Sequence, residues 1–345
     1  MFDPFSGSSH ADFVLPTKFG LGLGQEYLLT GSDQLVQVTS NALGGPGGPS
    51  HAAAGGVSPA STLVGNPHGL EINLIWDNSV ASAPNWQAIE SSVVSAAKIF
   101  TGMFHNQDIL NIAVGFGEVA GQTLAPGALG ESASYGYILP NTGTFTGALG
   151  AVLGAADAGL MHTGLMAPDA TTALDGVASN FFVTSANMKA LGLVDPAAGL
   201  DGFIGFSSTA PISFGQFAPG PNQYDAVGVA AHEISEVMGR VGLEGATLQA
   251  SDGTIFPNVY TPLDEFRYSA PGVPDVTPSA GYFSLNDGAT QILPFNDYLN
   301  NFGDPADWAT APGTQHNAFD AFASTGRASV TMADVLAMAA IGYHV

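Results

Sequence analysis

The chain contains no cysteine, which excludes disulfides, thiolate zinc ligands and thiol nucleophiles. Basic residues are nearly absent as well. Six Lys and Arg stand against 29 Asp and Glu, a formal net charge of −23. A surface of that sign repels phosphate backbones and anionic lipid, so no nucleic-acid partner is expected. No apolar run approaches the ~20 residues of a membrane span, so no membrane insertion is expected either. The opening stretch MFDPFSGSSHADFVLP has neither the basic segment nor the apolar core of a signal peptide. Charged residues are only 10% of the chain and hydrophobic ones 46%, so the composition is that of a globular protein, not of a disordered polyelectrolyte. This Gly-rich, lysine-poor, acidic composition suits a secreted, extracellular protein exported without a cleaved N-terminal signal peptide. A cytoplasmic protein is the alternative.

Along the chain, residues 1–69 show little periodicity, and NALGGPGGPSHAAAGGVSPAS is dense in Gly, Pro, Ser and Ala. That composition favours linker or irregular structure, so 1–69 reads as an N-terminal extension strapped onto a main domain, 70–345. LEINLIW (70–76) has a strand pattern. In the next segment Trp86, Ile89, Val93, Ala97 and Phe100 recur at helical spacing, and DILNIAVGFGE (108–118) returns to strand. A strand–helix–strand crossover of this kind makes parallel neighbours. ALGESASYGYILP (128–140) reads as loop and strand and can run along a sheet edge. Two helical patches, TGALGAVLGAADAGLM and DATTALDGVAS, follow. FFVTSANMKALGL then reads as strand and helix, and DGFIGFSS as another strand. The segment 223–242 is the best helix in the chain. Beyond it, residues 243–345 are loop-rich until TMADVLAMAAIGYHV, a helix for which Thr331 is a suitable N-cap. The expected fold class is α/β (α+β): a mixed sheet with helices over 70–242 and a loop-rich C-terminal subdomain over 243–345.

The chemistry concentrates in VAAHEISEVMGRVGL (229–243). Residues i and i+4 of a helix share one face, with Cβ atoms ~5–6 Å apart, so His232 and Glu236 can ligate one ion. Glu233 sits roughly 100° further round, where a zincin helix H-E-x-x-H places its general base. Gly239 lies where a glycine lets the helix end and the chain turn back. Glu236 stands in place of the second histidine, and Gly242 where a metzincin has its third. Zinc accepts carboxylate oxygen, and a site with one His and carboxylates also tolerates manganese, magnesium or calcium. A third ligand has to come from elsewhere, with Glu244, Asp264, Glu265 and His316 as candidates. FRYSAPG and GYFSLNDG read as strand and turn with core aromatics. SLNDGAT can form a calcium loop but is first a turn. DPADW buries Trp308 and leaves its acids to water.

HEISEVMGR, TPLDEFRYSAPGV, GYFSLNDGAT, NFGDPADWA and DVLAMAAIGY, with INLIWDNSVASAP and DGFIGFSS before them, together resemble a family of bacterial secreted zinc metalloproteases of zincin or metzincin type. The resemblance covers about residues 70–345. It implies a zincin-like fold with an active-site helix, in which Glu233 is the catalytic base. His232 and Glu236 take the first and second metal positions there, and Asp264 of PLDEFRYS is the preferred further acid. The implied activity is hydrolysis of a protein or peptide substrate by metal-activated water, with zinc as the cofactor and calcium as a further candidate. The alternative is a catalytically degenerate zincin-like domain serving as an extracellular binding, adhesive or structural module.

Overall fold

The computed structural model describes residues 26–30, 35–37, 60–140, 180–215, 217–275, 277, 279–309 and 316–345. The two helical patches expected within 146–161 and 169–179 lie outside them. The described part is α+β: a large mixed sheet with helices packed on it.

Ten strands make the sheet: β1 (Glu26–Thr30), β2 (Leu35–Gln37), β3 (Ser61–Gly65), β4 (Glu71–Trp76), β5 (Ile109–Phe116), β6 (Gly130–Pro140), β7 (Asn180–Thr184), β8 (Gly202–Phe206), β9 (Ala246–Gln249) and β10 (Ile255–Tyr260). Their order is β9-β10-β7-β6-β8-β5-β4-β3, with β1 paired to β6 and β2 to β1. β4 and β5 are parallel, as the crossover through helix α1 (Trp86–Met103) requires. Alternate residues of β4 and β5, among them Ile72, Leu74, Ile112 and Val114, are buried. Ile89, Val93, Ala97 and Phe100 of α1 pack in the same core, whereas Trp86, the fifth residue of that pattern, is 40% exposed.

Two sequence expectations shift. Residues 26–30, 35–37 and 61–65, from the segment read as an extension, are strands of the main sheet. Strand β6, expected at an edge, instead pairs with three strands: antiparallel with β8 along Gly130–Ser134, with β1 along Ala133–Tyr137, and with β7 along Gly136–Pro140. Its mixture of small and aromatic residues lets neighbours approach closely. Glu26 of β1 is buried beneath this junction and accepts a hydrogen bond from Tyr137 Oη at 3.1 Å.

Helix α2 (Ser185–Ala190) follows β7, and α3 (Ala226–Val237) lies against α1, β6 and β8. Gly202 permits that contact: a Cβ there would sit 2.5 Å from the Ala133 carbonyl oxygen and 3.0 Å from the Val237 side chain. The segment after Gly242 carries a small four-stranded sheet and helix α4 (Met332–Ala340). The rings of Phe283, Phe295 and Trp308 pack edge-on and tilted there and belong to the same apolar cluster as the main sheet and α1. The buried Asp334 anchors α4, accepting from the Thr331 backbone N–H and from Trp308 Nε1 at 2.6 Å. No helix among the described residues is long and apolar enough to cross a membrane.

Candidate metal centre

Helix α3 starts at Asp225, whose carboxylate caps the Val227 N–H at 3.2 Å. The run AVGVAAHEISEV then buries Ala226, Ala230, Ala231 and Ile234, which fixes the rotation of the helix about its axis. One turn apart on its remaining face, His232 Nε2 and Glu236 Oε1 lie 3.0 Å from each other. The helix ends in a Schellman turn. The Arg240 N–H reaches the Ser235 carbonyl at 3.0 Å and the Gly239 N–H the Glu236 carbonyl at 2.9 Å, with Gly239 at φ 114°. That turn folds Arg240 back onto the helix. Its Nε donates to Ser235 Oγ at 2.7 Å, and its Nη2 lies 3.5 Å from Glu236 Oε1.

The third acid is Asp307. Its Oδ1 lies 3.5 Å from His232 Nε2 and accepts from Arg240 Nη1. One donor atom from each of His232, Glu236 and Asp307 falls within 4.8 Å of the others. Ligands of a tetrahedral ion with ~2.1 Å bonds stand ~3.4 Å apart, so the spacing fits an ion. The outer contacts also fit. His232 Nδ1 meets the Ala318 carbonyl at 2.8 Å, which leaves Nε2 facing the acids. Ser132 Oγ holds Glu236 Oε2 at 2.7 Å, leaving Oε1 to the cluster.

Strand β6 lines the other side of the helix. Its alternate residues share a face: Ser132 meets Glu236, and Gly130 meets Glu233, where a Cβ would stand 2.5 Å from Oε1. Glu233 is 5% exposed. Burial, reinforced by the Glu236 charge, holds its carboxyl well above the ordinary range. Burial also opposes ionisation of Glu236, but the His232 charge and hydrogen bond, with Arg240 and Ser132, bring it down to about 2. His232 goes the other way. Burial lowers it and Arg240 opposes its charge, yet Asp307 and Glu236 raise it to about 10. Burial raises Asp307 as well, only partly offset by the His232 and Arg240 charges. A divalent ion would have to displace the His232 proton.

Asp264, expected as the third metal acid, is not in the group. Its Oδ2 is occupied by the N–H groups of Thr261 at 2.7 Å and of Leu243 and Glu244 at 3.2 Å, so it staples the loop after α3. Glu244 lies 3.5 Å from Arg267, Glu265 is buried with no hydrogen-bond partner for either oxygen among the described residues, and His316 is exposed. None of these three joins the group. The reading of DPADW needs the same correction. Trp308 is buried and Asp304 exposed as expected, but Asp307 is only 2% exposed. The missed signal was Arg240, one of six basic residues, set among apolar neighbours in VMGRVGL. A buried guanidinium needs a buried acid. The chain matches no family model, no curated protein and no solved structure.

Proposed function

We propose that this chain is a metal-dependent peptidase on a zincin-like scaffold, with His232, Glu236 and Asp307 as ligands and Glu233 as the base. One observation carries the reading: three donor atoms converge within 4.8 Å beside a buried glutamate on the next helical position. A bound zinc ion would polarise the scissile carbonyl and acidify water. Burial holds the Glu233 carboxyl up, and the charge of a bound ion would favour its ionised form; Glu233 then takes a proton from the attacking water and returns it to the leaving amine. The Ala318 carbonyl and Ser132 hold His232 and Glu236 in place, and the missing side chain of Gly130 makes the space that the Glu233 carboxyl occupies. One imidazole and two carboxylates suit zinc or manganese better than calcium, which takes 6–8 oxygen ligands. The lack of basic residues suits work outside the cell.

The test is to purify the protein without chelator, quantify metals by mass spectrometry and assay casein cleavage for wild type and Glu233→Gln. One transition-metal ion per chain and cleavage abolished in the variant support the proposal. A second reading rests on Arg240, which with His232 already compensates both carboxylates: the cluster is a metal-free ionic staple of a binding module. Absence of both metal and cleavage would favour it.

A further inference from the structure

A few residues along the chain from Asp307 and Ala318, aromatic side chains are exposed at some cost to the fold. Phe302 is 78% exposed and sits in the left-handed region, at φ 59° and ψ 18°. A bulky residue there is strained, and glycine is the residue that fits without strain. Gly303 follows immediately, yet phenylalanine holds the left-handed position. Among the described residues its ring meets Tyr298 edge-on, with centroids 5.9 Å apart, and Tyr298 is itself 37% exposed. Phe322, 53% exposed, completes the patch, its ring lying 3.0 Å from where a Cβ on Gly303 would be.

The segment presenting Phe302 is rigidly held. Asn296 and Asn301 exchange side-chain amide hydrogen bonds at 2.7 and 3.0 Å, and the Gly303 N–H donates to Asn301 Oδ1 at 2.9 Å. The patch is also tied to the centre by short tethers. Phe302 precedes Asp307 by five residues, and Phe322 follows Ala318 by four. At ~3.5 Å per residue neither can lie more than ~18 Å of chain from those anchors, a span that an extended peptide of about six residues covers. Residues 268–326 contain no Lys or Arg, the nearby Arg240 and Arg267 are buried against Phe319 and Phe295, and Asp297 flanks the patch on its partly exposed side.

We propose that Phe302, Phe322 and Tyr298 form the docking surface for a substrate side chain, selecting an aromatic or large aliphatic residue within a positively charged peptide. The proposal rests on the peptidase reading and names its substrate class. An apolar side chain packs on the rings, and neighbouring lysines or arginines face Asp297 on a chain of net charge −23. An anionic segment lacks the charge contact, and a wholly polar one lacks the apolar contact.

Binding can be measured without turnover, so its outcome is separable from that of the catalytic reading. The probes are fluorescein-labelled octapeptides: one phenylalanine among alanines and lysines, the same with glutamates for lysines, and the same with alanine for phenylalanine. Anisotropy is read with full-length Glu233→Gln protein, with zinc and after chelation. The cationic phenylalanine peptide is expected to bind at least tenfold more tightly than either control, both with zinc and after chelation. Phe302→Gly is expected to weaken it fivefold or more while raising the melting temperature, and Phe322→Ser to weaken it with the fold intact by circular dichroism. Unchanged affinity in both variants overturns the proposal, as does equal binding of the three peptides. So does a variant that turns a dimer into a monomer in sedimentation without changing peptide affinity, because the patch would then be a self-interface.

Discussion

Arg240 donates to Asp307 across 67 residues of chain, and the two side chains are only 1% and 4% exposed. Breaking one side of a buried pair leaves an uncompensated charge, at a cost of about 3–5 kcal/mol. With Arg240→Met, Glu236 and Asp307 keep only His232 as a counter-charge, and a divalent ion becomes the natural replacement. The variant is expected to melt well below wild type in chelator and to recover more stability than wild type when zinc is added. Equal zinc-induced shifts in the two proteins, measured by calorimetry, would rule out a shared site for ion and guanidinium.

Asp307 and Asp264 give opposite phenotypes. Asp307→Asn removes a ligand and is expected to abolish stoichiometric metal. Asp264→Ala leaves three buried N–H groups without their acceptor, costing roughly 1–3 kcal/mol each at most, and keeps the metal content of wild type. Metal analysis beside urea denaturation separates them; loss of metal only in Asp264→Ala would reverse the assignment.

Gly130→Ala tests the base. The added methyl would stand 2.5 Å from Glu233 Oε1 and 2.9 Å from its Cδ and Cγ, so the carboxylate has to move. Losing a positioned base costs about 10²–10⁴-fold in rate. The expected outcome is a fall in kcat of that order with metal content unchanged, and an unaltered kcat would dismiss Glu233 as the proton carrier.

Glu26 governs a pH effect. Burial, only partly offset by the Tyr137 hydrogen bond, raises its carboxyl from 4.5 to about 7. The folded chain thus keeps a proton that the unfolded chain releases between about pH 4.5 and 7, so stability falls as pH rises through that window. The loss is on the order of 3 kcal/mol at most. Glu26→Gln should remove that part of the slope and be the more stable form at pH 8. Hydrogen exchange of β1 from pH 5 to 8 checks it; parallel profiles in both proteins would disprove the assignment.

Local patterns carried most of what the sequence reading predicted. His232, Glu233 and Glu236 are fixed by helical spacing, the parallel β4–β5 pair by a crossover, and α4 by its Thr331 cap, and the structure has all three features. The remainder depends on long-range pairing, which no local period encodes. Asp307, beside the buried Trp308, reaches the helix from 75 residues beyond His232 and is held there by Arg240. The opposite error, choosing Asp264, came from an acid that is indeed buried but whose acceptor capacity is taken by backbone. Three short strands among residues 1–69 were hidden by the Gly- and Pro-rich composition around them.

Strand β6 carries a further consequence. Its pairing with β1, β7 and β8 sets which of its side chains face α3. A slip of one residue exchanges the faces, bringing Glu131 or Ala133 to the place of Ser132 and a side chain to the place of Gly130. The centre is thus keyed to strand alignment more than 100 residues upstream of its helix ligands. A single-residue insertion or deletion within β6, between Gly130 and the stretch paired with β1 and β7, would therefore leave every ligand in the chain and still dismantle the centre, so length along that strand is as constrained as identity on the helix.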